Sequence, residues 1–307
     1  MRSEGSFLKP EVHIVLVNWN SWGETSTCLA SLERLDYENR TVIVVDNGST
    51  DDSVSRIRER FPWVDVILAG KNLGFPGGCN VGMRRALADG ADYVWLLNND
   101  AIADPGALNA MVDKAEADPR IGAVGSAIFC MEQPSQLQAW GGGYVNFWLG
   151  RARHFLKPVP DEKVQYITGA SLLIPRRVLE SVGLLDDKIF LYWDDPEYCW
   201  RLRRAGWKLA VAGRSRIWHK GMQAYGRKNP KQDAFYSASA VRFFMQYSPT
   251  PLLSLWVGVS LRIAKRLLFG EWKRARATWA GVRQGRVDDG SELGRKPSLA
   301  SPADANS

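Results

Sequence analysis

The densest acidic cluster in the sequence has the residue types of a general base. Asp194 and Asp195 follow two aromatic residues, Tyr192 and Trp193, and precede a proline at the first position of an expected helix. A carboxylate held in such a fixed turn can take a proton from a hydroxyl. Helix N-capping is the competing interpretation, with Glu197 in the first turn. A cap needs only one acid, so we favour the catalytic interpretation.

Two further polar clusters each follow an apolar run. Asn98 to Asp100 comes directly after Tyr93 to Leu97, and its oxygen ligands are those that Mg²⁺ or Mn²⁺ bridging a diphosphate requires. Asp46 to Asp52 follows another run, and Asp46 could accept hydrogen bonds from a ribose or a base. Asn and Asp are also favoured in ordinary turns, so a plain turn remains the alternative for both clusters.

Other residue patterns exclude several classes of enzyme. The four cysteines are too far apart for a CxxC pair or a zinc ribbon. No glycine-rich dinucleotide motif follows the first strand and no P-loop motif occurs, which disfavours dehydrogenases and P-loop enzymes. No nucleophile, histidine and acid arrangement supports a hydrolytic triad. Of the three histidines, His219 is the candidate ligand, and it needs a partner before it can be assigned that role.

The elements between these clusters predict a parallel sheet. Short apolar runs alternate with helical patterns in the first third of the chain, with βαβ spacing. Ligands of open parallel sheets bind at the carboxyl ends of the strands, where the polar clusters fall. The expected strands are Val12 to Val17, Thr41 to Val45, Val64 to Ala69 and Tyr93 to Leu97, and the expected helices are Thr25 to Leu35, Ser53 to Phe61 and Asn80 to Ala88.

The net charge of +7 is concentrated near the C-terminus. Between Arg262 and Arg286 there are eight basic residues and one acid, so the rest of the chain is formally neutral, which argues against nucleic acid as a partner. The preceding run, Thr250 to Leu261, is apolar but shorter than the ~20 residues of a spanning helix. This composition is typical of an interfacial amphipathic helix on anionic lipid. A packed C-terminal helix with a solvated basic face is the alternative.

Length and composition indicate one large α/β domain with an appendage. The chain has 307 residues, of which 45% are hydrophobic and 24% charged, enough to bury a sizeable core. The first eleven residues have no apolar signal core, so we expect a cytoplasmic catalytic part. The expected organisation is an N-terminal extension (1–10), the main domain (11–248), basic amphipathic membrane-associated helices (249–286) and a disordered tail (287–307).

Seven segments, taken in order, resemble the inverting family-2 glycosyltransferases with a GT-A fold. The branch in question includes bacterial rhamnosyl- and galactofuranosyltransferases, and the resemblance covers about residues 12 to 245. The segments are Val15 to Asn20, Val44 to Asp51, Asn72 to Gly82, Leu97 to Asp100, Thr168 to Ser171, Phe190 to Arg201 and Trp218 to Gly221. The fold that this implies is a Rossmann-like mixed sheet flanked by helices, followed here by the basic C-terminal segment.

The resemblance also implies roles for individual residues. Asp195 matches the catalytic base, Asp100 the last Asp of the DxD metal motif, and His219 a histidine that helps to hold the metal or the diphosphate. Asn98 stands where the motif often has its first Asp, and Pro196 where a small or β-branched residue is usual. The residues implied to bind the nucleotide sugar are Asn18, Asp46, Asn72, Gly74, Gly78, Asn80, Asn98, Asn99, Thr168, Gly169, Ala170 and Asp194.

The activity that the resemblance implies is a single displacement with inversion. A sugar would pass from a nucleotide-diphosphate sugar to a hydroxyl of a lipid-linked glycan, with Mg²⁺ or Mn²⁺, at the inner face of the cell membrane during cell-surface polysaccharide synthesis. The leading donor is dTDP-rhamnose, followed by UDP-galactofuranose or another UDP-hexose. An inactive subunit that binds a nucleotide sugar or glycan is the alternative from another class, favoured by Asn98. Whether the chain forms a homo-oligomer stays open.

Overall fold

Strands and helices alternate through the first half of the protein, as expected of an α/β chain. The computed structural model describes residues 9–221 and 229–290. The strands are β1 Val12–Asn18, β2 Arg40–Asp46, β3 Asp65–Leu68, β4 Tyr93–Leu97, β5 Ala101–Ala103, β6 Ile121–Cys130, β7 Leu137–Trp140, β8 Gly142–Asn146, β9 Arg151–His154, β10 Tyr166–Ile167, β11 Ser171–Pro175 and β12 Lys208–His219. The helices are α1 Trp22–Leu32, α2 Ser53–Arg60, α3 Gly74–Ala88, α4 Ala107–Glu116, α5 Arg176–Val182, α6 Asp194–Arg204, α7 Pro230–Tyr247, α8 Pro251–Leu268 and α9 Trp272–Gly290.

These strands form one mixed sheet in which β1 lies between β2 and β4. β1 pairs in parallel with β2 on one side and with β4 on the other, and β3 continues in parallel beyond β2. β11 runs antiparallel between β4 and β6, and β12 lies parallel to β6. The order along the main path is β10-β8-β7-β6-β11-β4-β1-β2-β3. Because β11 is antiparallel, its first residues lie at the carboxyl end of β4.

Helices cover both faces of the sheet, which explains why its central strands are almost entirely apolar. Successive side chains of a strand point to opposite faces. In β1, Ile14 and Leu16 are buried in the same cluster as apolar side chains of α1, α2 and α4. Val15, between them, is buried with α3, α6 and α7. The core therefore consists of two apolar layers separated by the sheet.

The four strands and three helices predicted for the first half are confirmed, although α1 lies at Trp22–Leu32 instead of Thr25 to Leu35 and α3 begins earlier than expected. This helix begins at Gly74 rather than Asn80, so the glycine-rich stretch is helical. Glycine is a poor helix former, but here it permits close packing: a Cβ on Gly78 would lie 2.9 Å from Val17 of β1. Tertiary packing therefore overrides the local propensity on which the prediction depends.

The C-terminal helices α8 and α9 form a hairpin that packs on α7. Asp233 of α7 is buried, and its carboxylate accepts hydrogen bonds from Arg266 and Arg274. A third guanidinium, that of Arg262, lies 3.9 Å from the same carboxylate. Three of the eight basic residues between Arg262 and Arg286 are thus turned inward, where they hold the hairpin to the domain.

The boundaries of the terminal segments differ from the prediction or lie outside the described residues. The expected disordered tail begins at residue 287, but α9 continues to Gly290, so its first residues are helical. The remainder of that tail, and most of the expected N-terminal extension, lie outside the described residues. Within residues 9–221 and 229–290, no helix combines the length and apolar character needed to cross a bilayer.

Candidate functional site

The polar clusters meet at the carboxyl edge of the central strands. Asn18 and Asp46 end β1 and β2 as register partners, and Asn98 directly follows β4. His219 ends β12 at the same edge, where this strand pairs with β5. The loop before β11 joins them, because the Asn98 backbone N–H donates to the Ala170 carbonyl at 3.1 Å. Residues that are remote in the chain are thus brought to one edge of the sheet.

Asp46 is held by a chain of hydrogen bonds. The Asn18 amide donates to an Asp46 oxygen at 3.1 Å, and its own oxygen accepts from the Thr25 hydroxyl at 2.8 Å. Asn99 donates to the same hydroxyl at 2.8 Å, and the Ser49 backbone N–H donates to the other Asp46 oxygen. Because Asn18 is fully buried and bonded at both ends, its side chain orients Asp46 instead of lining a pocket.

Asn47 is a supporting residue that the sequence reasoning did not single out. Its oxygen accepts from the Leu73 backbone N–H at 2.9 Å, and its amide donates to the Gly74 carbonyl at 3.0 Å. The Asn72 oxygen accepts from both the Asn47 amide and the Gly74 backbone N–H. Asn47 therefore ties the end of β2 to the beginning of α3, and Asn72 shapes that turn through its oxygen. The available signal was an amide directly after the strand-ending Asp46.

Gly78 and Asn80 lie on the buried side of α3. Gly78 packs on β1, as described above. The Asn80 side chain donates to the Leu185 carbonyl at 2.9 Å and accepts from the Leu185 backbone N–H at 3.0 Å. Both ends of this amide are therefore used to anchor the segment that leads to α6. The contacts of these two residues within the described structure are thus packing and loop anchoring.

Gly74 brings the beginning of α3 against the segment that precedes α6. Its φ is +77°, and a Cβ there would lie 2.4 Å from the Phe190 carbonyl oxygen. The Phe75 backbone N–H donates to the same oxygen at 2.9 Å. Glycine is thus required at this position both by the backbone conformation and by the close approach.

Replacing Gly74 by alanine is expected to lower the melting temperature more than the matched change Gly70→Ala. Gly70 has a nearly identical φ of +76° but open space around its Cβ position, so its replacement costs about 1–2 kcal/mol of backbone strain alone. Gly74→Ala adds a steric clash worth about 1–3 kcal/mol. Thermal unfolding of both variants measures the difference. Equal melting temperatures would contradict the assigned contact with Phe190.

Asp100 and His219 form a pair on the other side of the site. An Asp100 oxygen lies 3.1 Å from His219 Nε2, and each side chain is 12% exposed. The other ring nitrogen, Nδ1, lies 2.8 Å from the Gln138 oxygen. A glutamine oxygen can only accept, so this contact places a proton on Nδ1 and directs Nε2 toward Asp100. Gln138 lies in β7 and has no local sequence signal that could have identified it.

The residues around this pair fit a divalent cation. His219 Nε2 and the Asp100 carboxylate lie together at this edge, and an imidazole nitrogen and a carboxylate are both ligands of divalent cations. Asn98 donates its amide to Nε2 at 3.0 Å, while its oxygen is buried without a hydrogen-bond partner among the described residues. Carboxylate and amide oxygens suit Mg²⁺ and Mn²⁺. No three His, Cys, Asp or Glu side chains in the described ranges could hold a metal ion, so substrate oxygens would complete the shell.

Asp195 lies just inside α6, after a turn with an unusual backbone. Tyr192 and Trp193 both have positive φ angles, +65° and +64°, which cost a non-glycine residue about 1–2 kcal/mol each. Strain of this kind is found at functional sites. The turn is stabilised by burial of the Trp193 ring among three aromatic rings of α7, with centroids 4.9 to 5.5 Å away, those of Tyr236, Phe243 and Phe244.

The N-capping interpretation does not describe the beginning of α6. Trp193 occupies the N-cap position, and no described side chain caps the helix. Glu197, in the first turn, is buried and receives hydrogen bonds from Arg201 and from the Tyr247 hydroxyl. Its role is therefore structural. The two preceding acids remain available for another purpose.

Asp194 and Asp195 have unequal surroundings. Asp195 is partly exposed and accepts from the Gly169 backbone N–H at 3.3 Å. Burial raises the pKa of Asp195 to about 6, although hydrogen bonds from Gly169 and Thr168 oppose the shift. Burial, followed by the charge of Asp195, raises the pKa of Asp194 well above its ordinary value. Between the two acids, the proton is therefore favoured on Asp194, and Asp195 is the carboxylate that can more readily accept one.

The loop from Thr168 to Ala170 connects the two halves of the site. Gly169 donates its backbone N–H to Asp195, and Ala170 accepts from the backbone of Asn98. A Cβ on Gly169 would lie 3.3 Å from the ring of Phe75 at the beginning of α3. The acid of the α6 turn, the metal-type cluster and α3 therefore meet around this loop.

Comparison with known proteins identifies relatives that transfer sugars. The model of glycosyl transferase family 2 matches residues 13–183. An N-acetylglucosaminyl-diphospho-decaprenol L-rhamnosyltransferase of Mycobacterium tuberculosis is 27% identical over 239 residues, which are 70% of this chain and 77% of that protein. Galactofuranosyltransferase GlfT1 of the same organism is 29% identical over 184 residues, 57% of this chain and 60% of that protein.

A solved structure supports the fold class. The mannosyltransferase of Pyrobaculum calidifontis, solved with GDP-Man and Mn²⁺, superposes with a TM-score of 0.56 over 96% of this chain and 77% of its own, at 17% identity. At that identity the likeness establishes the fold, which is the predicted GT-A class. The family resemblance predicted from the sequence is also confirmed. The family model matches more than half of the residues of this chain, so the chain belongs to glycosyl transferase family 2.

Proposed function

We propose that this chain is an inverting glycosyltransferase that moves rhamnose from a nucleotide-diphosphate sugar to a hydroxyl of a lipid-linked glycan in cell-surface polysaccharide synthesis. The observation that carries the proposal is the shared sheet edge, with Asp195 as a proton-accepting carboxylate on one side and the Asp100–His219 pair on the other. A single displacement needs these two functions on either side of the reacting carbon.

On the donor side, Asp46 would accept hydrogen bonds from the ribose or the base. Asn18 and Ser49 fix its carboxylate before a ligand arrives, so binding need not order it. The loop from Thr168 to Ala170 would lie beside the sugar, between Asn98 and Asp195. The GDP-Man bound to the Pyrobaculum enzyme of the same fold supports a nucleotide-sugar donor.

Asp100, His219 and the Asn98 oxygen would hold a divalent ion, Mg²⁺ or Mn²⁺. When bound, such an ion offsets the negative charge that develops on the leaving diphosphate. His219 would add a nitrogen ligand to a set of oxygen ligands that suits either ion. Gln138 supports this role by keeping the proton on Nδ1 and the Nε2 lone pair free.

Asp195 would act as the general base. It takes the proton of the acceptor hydroxyl while the hydroxyl oxygen forms a bond to the anomeric carbon. The bond from that carbon to the diphosphate oxygen breaks on the opposite side, so the anomeric configuration inverts. Burial and the charge of Asp195 both raise the pKa of Asp194, which disfavours a second negative charge beside the base.

We expect kcat/KM to fall below a pH of about 6. Because burial raises the pKa of Asp195 to about 6, protonation removes the base as the pH drops through that value. An unperturbed aspartate would place the same fall near pH 4. Initial rates between about pH 5 and 8, at saturating Mn²⁺, measure the profile. A rate that does not change between about pH 5 and 7 would contradict the assignment.

The proposal of rhamnose, with dTDP-rhamnose as donor, is supported by the relative that aligns with 70% of this chain. UDP-galactofuranose is the second candidate donor, because a galactofuranosyltransferase is also similar. The rhamnosyltransferase is named for an acceptor that is a lipid diphosphate carrying N-acetylglucosamine. An acceptor of that kind would require this enzyme to work as a peripheral protein at the inner face of the cell membrane.

A donor panel with the purified protein tests the proposal. The correct donor should raise the melting temperature in the presence of Mn²⁺, and mass spectrometry should detect its sugar on a lipid-linked acceptor. NMR of the product then reports the anomeric configuration. Transfer from UDP-sugars alone would show that the donor sugar is not rhamnose. A product with retained anomeric configuration would contradict the single-displacement mechanism. Donor binding without transfer to any acceptor would instead assign the chain to an inactive binding subunit.

A further inference from the structure

The C-terminal hairpin exposes an apolar surface that no described part of the chain covers. The surface, here called the outer face, is formed by exposed large apolar side chains of α8, α9 and the turn between them. Monomeric soluble proteins rarely expose a large contiguous apolar patch without a function. The outer face comprises six large apolar side chains, each between 49% and 83% exposed: Trp256, Leu261, Leu268, Phe269, Trp272 and Trp279.

Helical spacing makes the two sides of the hairpin chemically distinct. In α8, Ser254 and Leu255 are buried against the domain, while Trp256 points away from it. In α9, positions spaced by four, three and four residues form one exposed stripe in which tryptophan and arginine alternate. The stripe consists of Trp272, Arg276, Trp279 and Arg283.

The exposed charges around the outer face are positive. Lys265, Lys273 and Arg276 are exposed, and none of them forms an ion pair within residues 9–221 and 229–290. The one acid between residues 249 and 285 is Glu271. Its carboxylate is turned toward two inward-facing arginines. A partner for this surface should therefore have an apolar interior and a negatively charged surface.

We propose that the outer face docks on an anionic lipid bilayer, with the hairpin lying in the plane of the interface. Charge complementarity selects this occupant, since the apolar side chains are accompanied by exposed cations and residues 249–285 contain no exposed acid. Indole rings favour the boundary between hydrocarbon and headgroups. Lysine, present here twice, is depleted in protein–protein interfaces. α8 does not qualify as a spanning helix, which agrees with in-plane docking.

The hairpin also contacts the side of the domain that carries Asp195. The Arg262 guanidinium of α8 lies 3.6 Å from the centroid of the Tyr236 ring. That ring packs on Trp193, with 5.5 Å between centroids, and Trp193 is the N-cap of α6. Docking would therefore hold the base side of the site near the bilayer, where a lipid-linked acceptor lies. This orientation rests on the proposed function, whereas the docking itself does not.

Co-sedimentation of the full chain with vesicles tests the docking. The wild type should bind vesicles of phosphatidylserine and phosphatidylcholine, and bind phosphatidylcholine alone more weakly. Replacing Lys265 and Lys273 by glutamine should weaken binding to the anionic vesicles about 30-fold. Replacing Phe269 and Trp272 by serine should weaken binding to both kinds. The control variant Leu68→Ser removes an exposed leucine, 56% accessible, from β3 outside the hairpin. It should not change binding to either kind of vesicle.

Two results would overturn the docking. One is a wild type that binds neither kind of vesicle, and the other is unchanged binding by both pairs of substitutions in variants whose melting temperatures match the wild type. If light scattering then shows a dimer that the serine variant loses, the outer face belongs to a second copy of the chain.

Transfer assays separate this proposal from the proposed function. If both hold, the serine variant loses transfer to a lipid-linked acceptor in vesicles but keeps transfer to a water-soluble analogue. A wild type that sediments with vesicles and transfers no sugar leaves the docking standing and overturns the proposed function. A wild type that transfers sugar but does not sediment with vesicles leaves the proposed function standing and overturns the docking.

Discussion

Asp195→Asn is expected to lower kcat by about 10²- to 10⁴-fold without lowering the melting temperature at pH 7. The amide keeps the size of the side chain and an oxygen that can accept from Gly169, but it cannot take a proton. The loss should appear in kcat with little change in the apparent affinity for the donor, because no donor contact is removed.

The direction of the stability change follows from the raised pKa. Burial raises the pKa of Asp195 to about 6, above the ordinary value of about 3.9. The ionised side chain therefore costs the folded state free energy, and that cost grows as the pH rises from about 4 through 6. Asparagine avoids the cost, so the melting temperature at pH 7 should stay the same or rise. The difference between variant and wild type should shrink toward pH 5.

Asp187→Asn is the matched control. Asp187 is an exposed acid in the segment between α5 and α6, so the same chemical change there should leave both kcat and the melting temperature unaltered. Near-full turnover by Asp195→Asn in a folded protein would show that another group is the base. A melting temperature that drops by several degrees would instead indicate a structural role for the carboxylate.

Asp100→Ala is expected to lower kcat/KM by about 10²-fold or more and to remove most of the response to Mn²⁺. Asp100 is the charged member of the candidate metal cluster, and the alanine leaves His219 and an amide oxygen as the remaining protein ligands. Electron paramagnetic resonance of Mn²⁺ with the nucleotide diphosphate provides a second readout, which does not depend on turnover. Bound Mn²⁺ with wild-type affinity would contradict the assignment.

Gln138→Leu provides a graded version of the same experiment. Gln138 acts only through His219, so its loss should raise the half-saturating Mn²⁺ concentration by about 10- to 100-fold while kcat at saturating metal is kept. Gln138→Glu keeps an acceptor for Nδ1 and should restore the affinity for Mn²⁺.

Glu132→Gln is the control for Asp100→Ala, because it removes an exposed negative charge without removing a proposed ligand.

The first half of the fold could be predicted because its central strands are buried on both faces. β1, β2 and β4 appear in the sequence as continuous apolar runs, and the polar residues at their ends mark the functional edge. Asp46 and the residues from Asn98 to Asp100 were therefore identifiable from local pattern. Their convergence with Asp195 required the antiparallel placement of β11, which apolar periodicity does not specify.

The supporting residues could not be predicted, because their roles depend on contacts distant in the chain. Gln138 determines the tautomer of His219, yet a glutamine in a short strand has no distinctive local pattern. Asn18 and Asn80 match family positions, but the direction of an amide decides whether it meets a ligand or a backbone carbonyl. Likewise, the pattern of basic residues between Arg262 and Arg286 does not indicate that Arg274 faces Asp233.

The arrangement around Asp233 has a consequence for protein synthesis. The ribosome adds Asp233 before Arg266 and Arg274. The Asp233 carboxylate therefore has no compensating guanidinium groups until α9 has left the exit tunnel. An uncompensated buried charge costs about 3–5 kcal/mol, which is enough to delay closure of the α7 layer. Trp193 depends on that layer for its rigid frame. We therefore expect the turn that carries Asp195 to become rigid only after the hairpin has emerged.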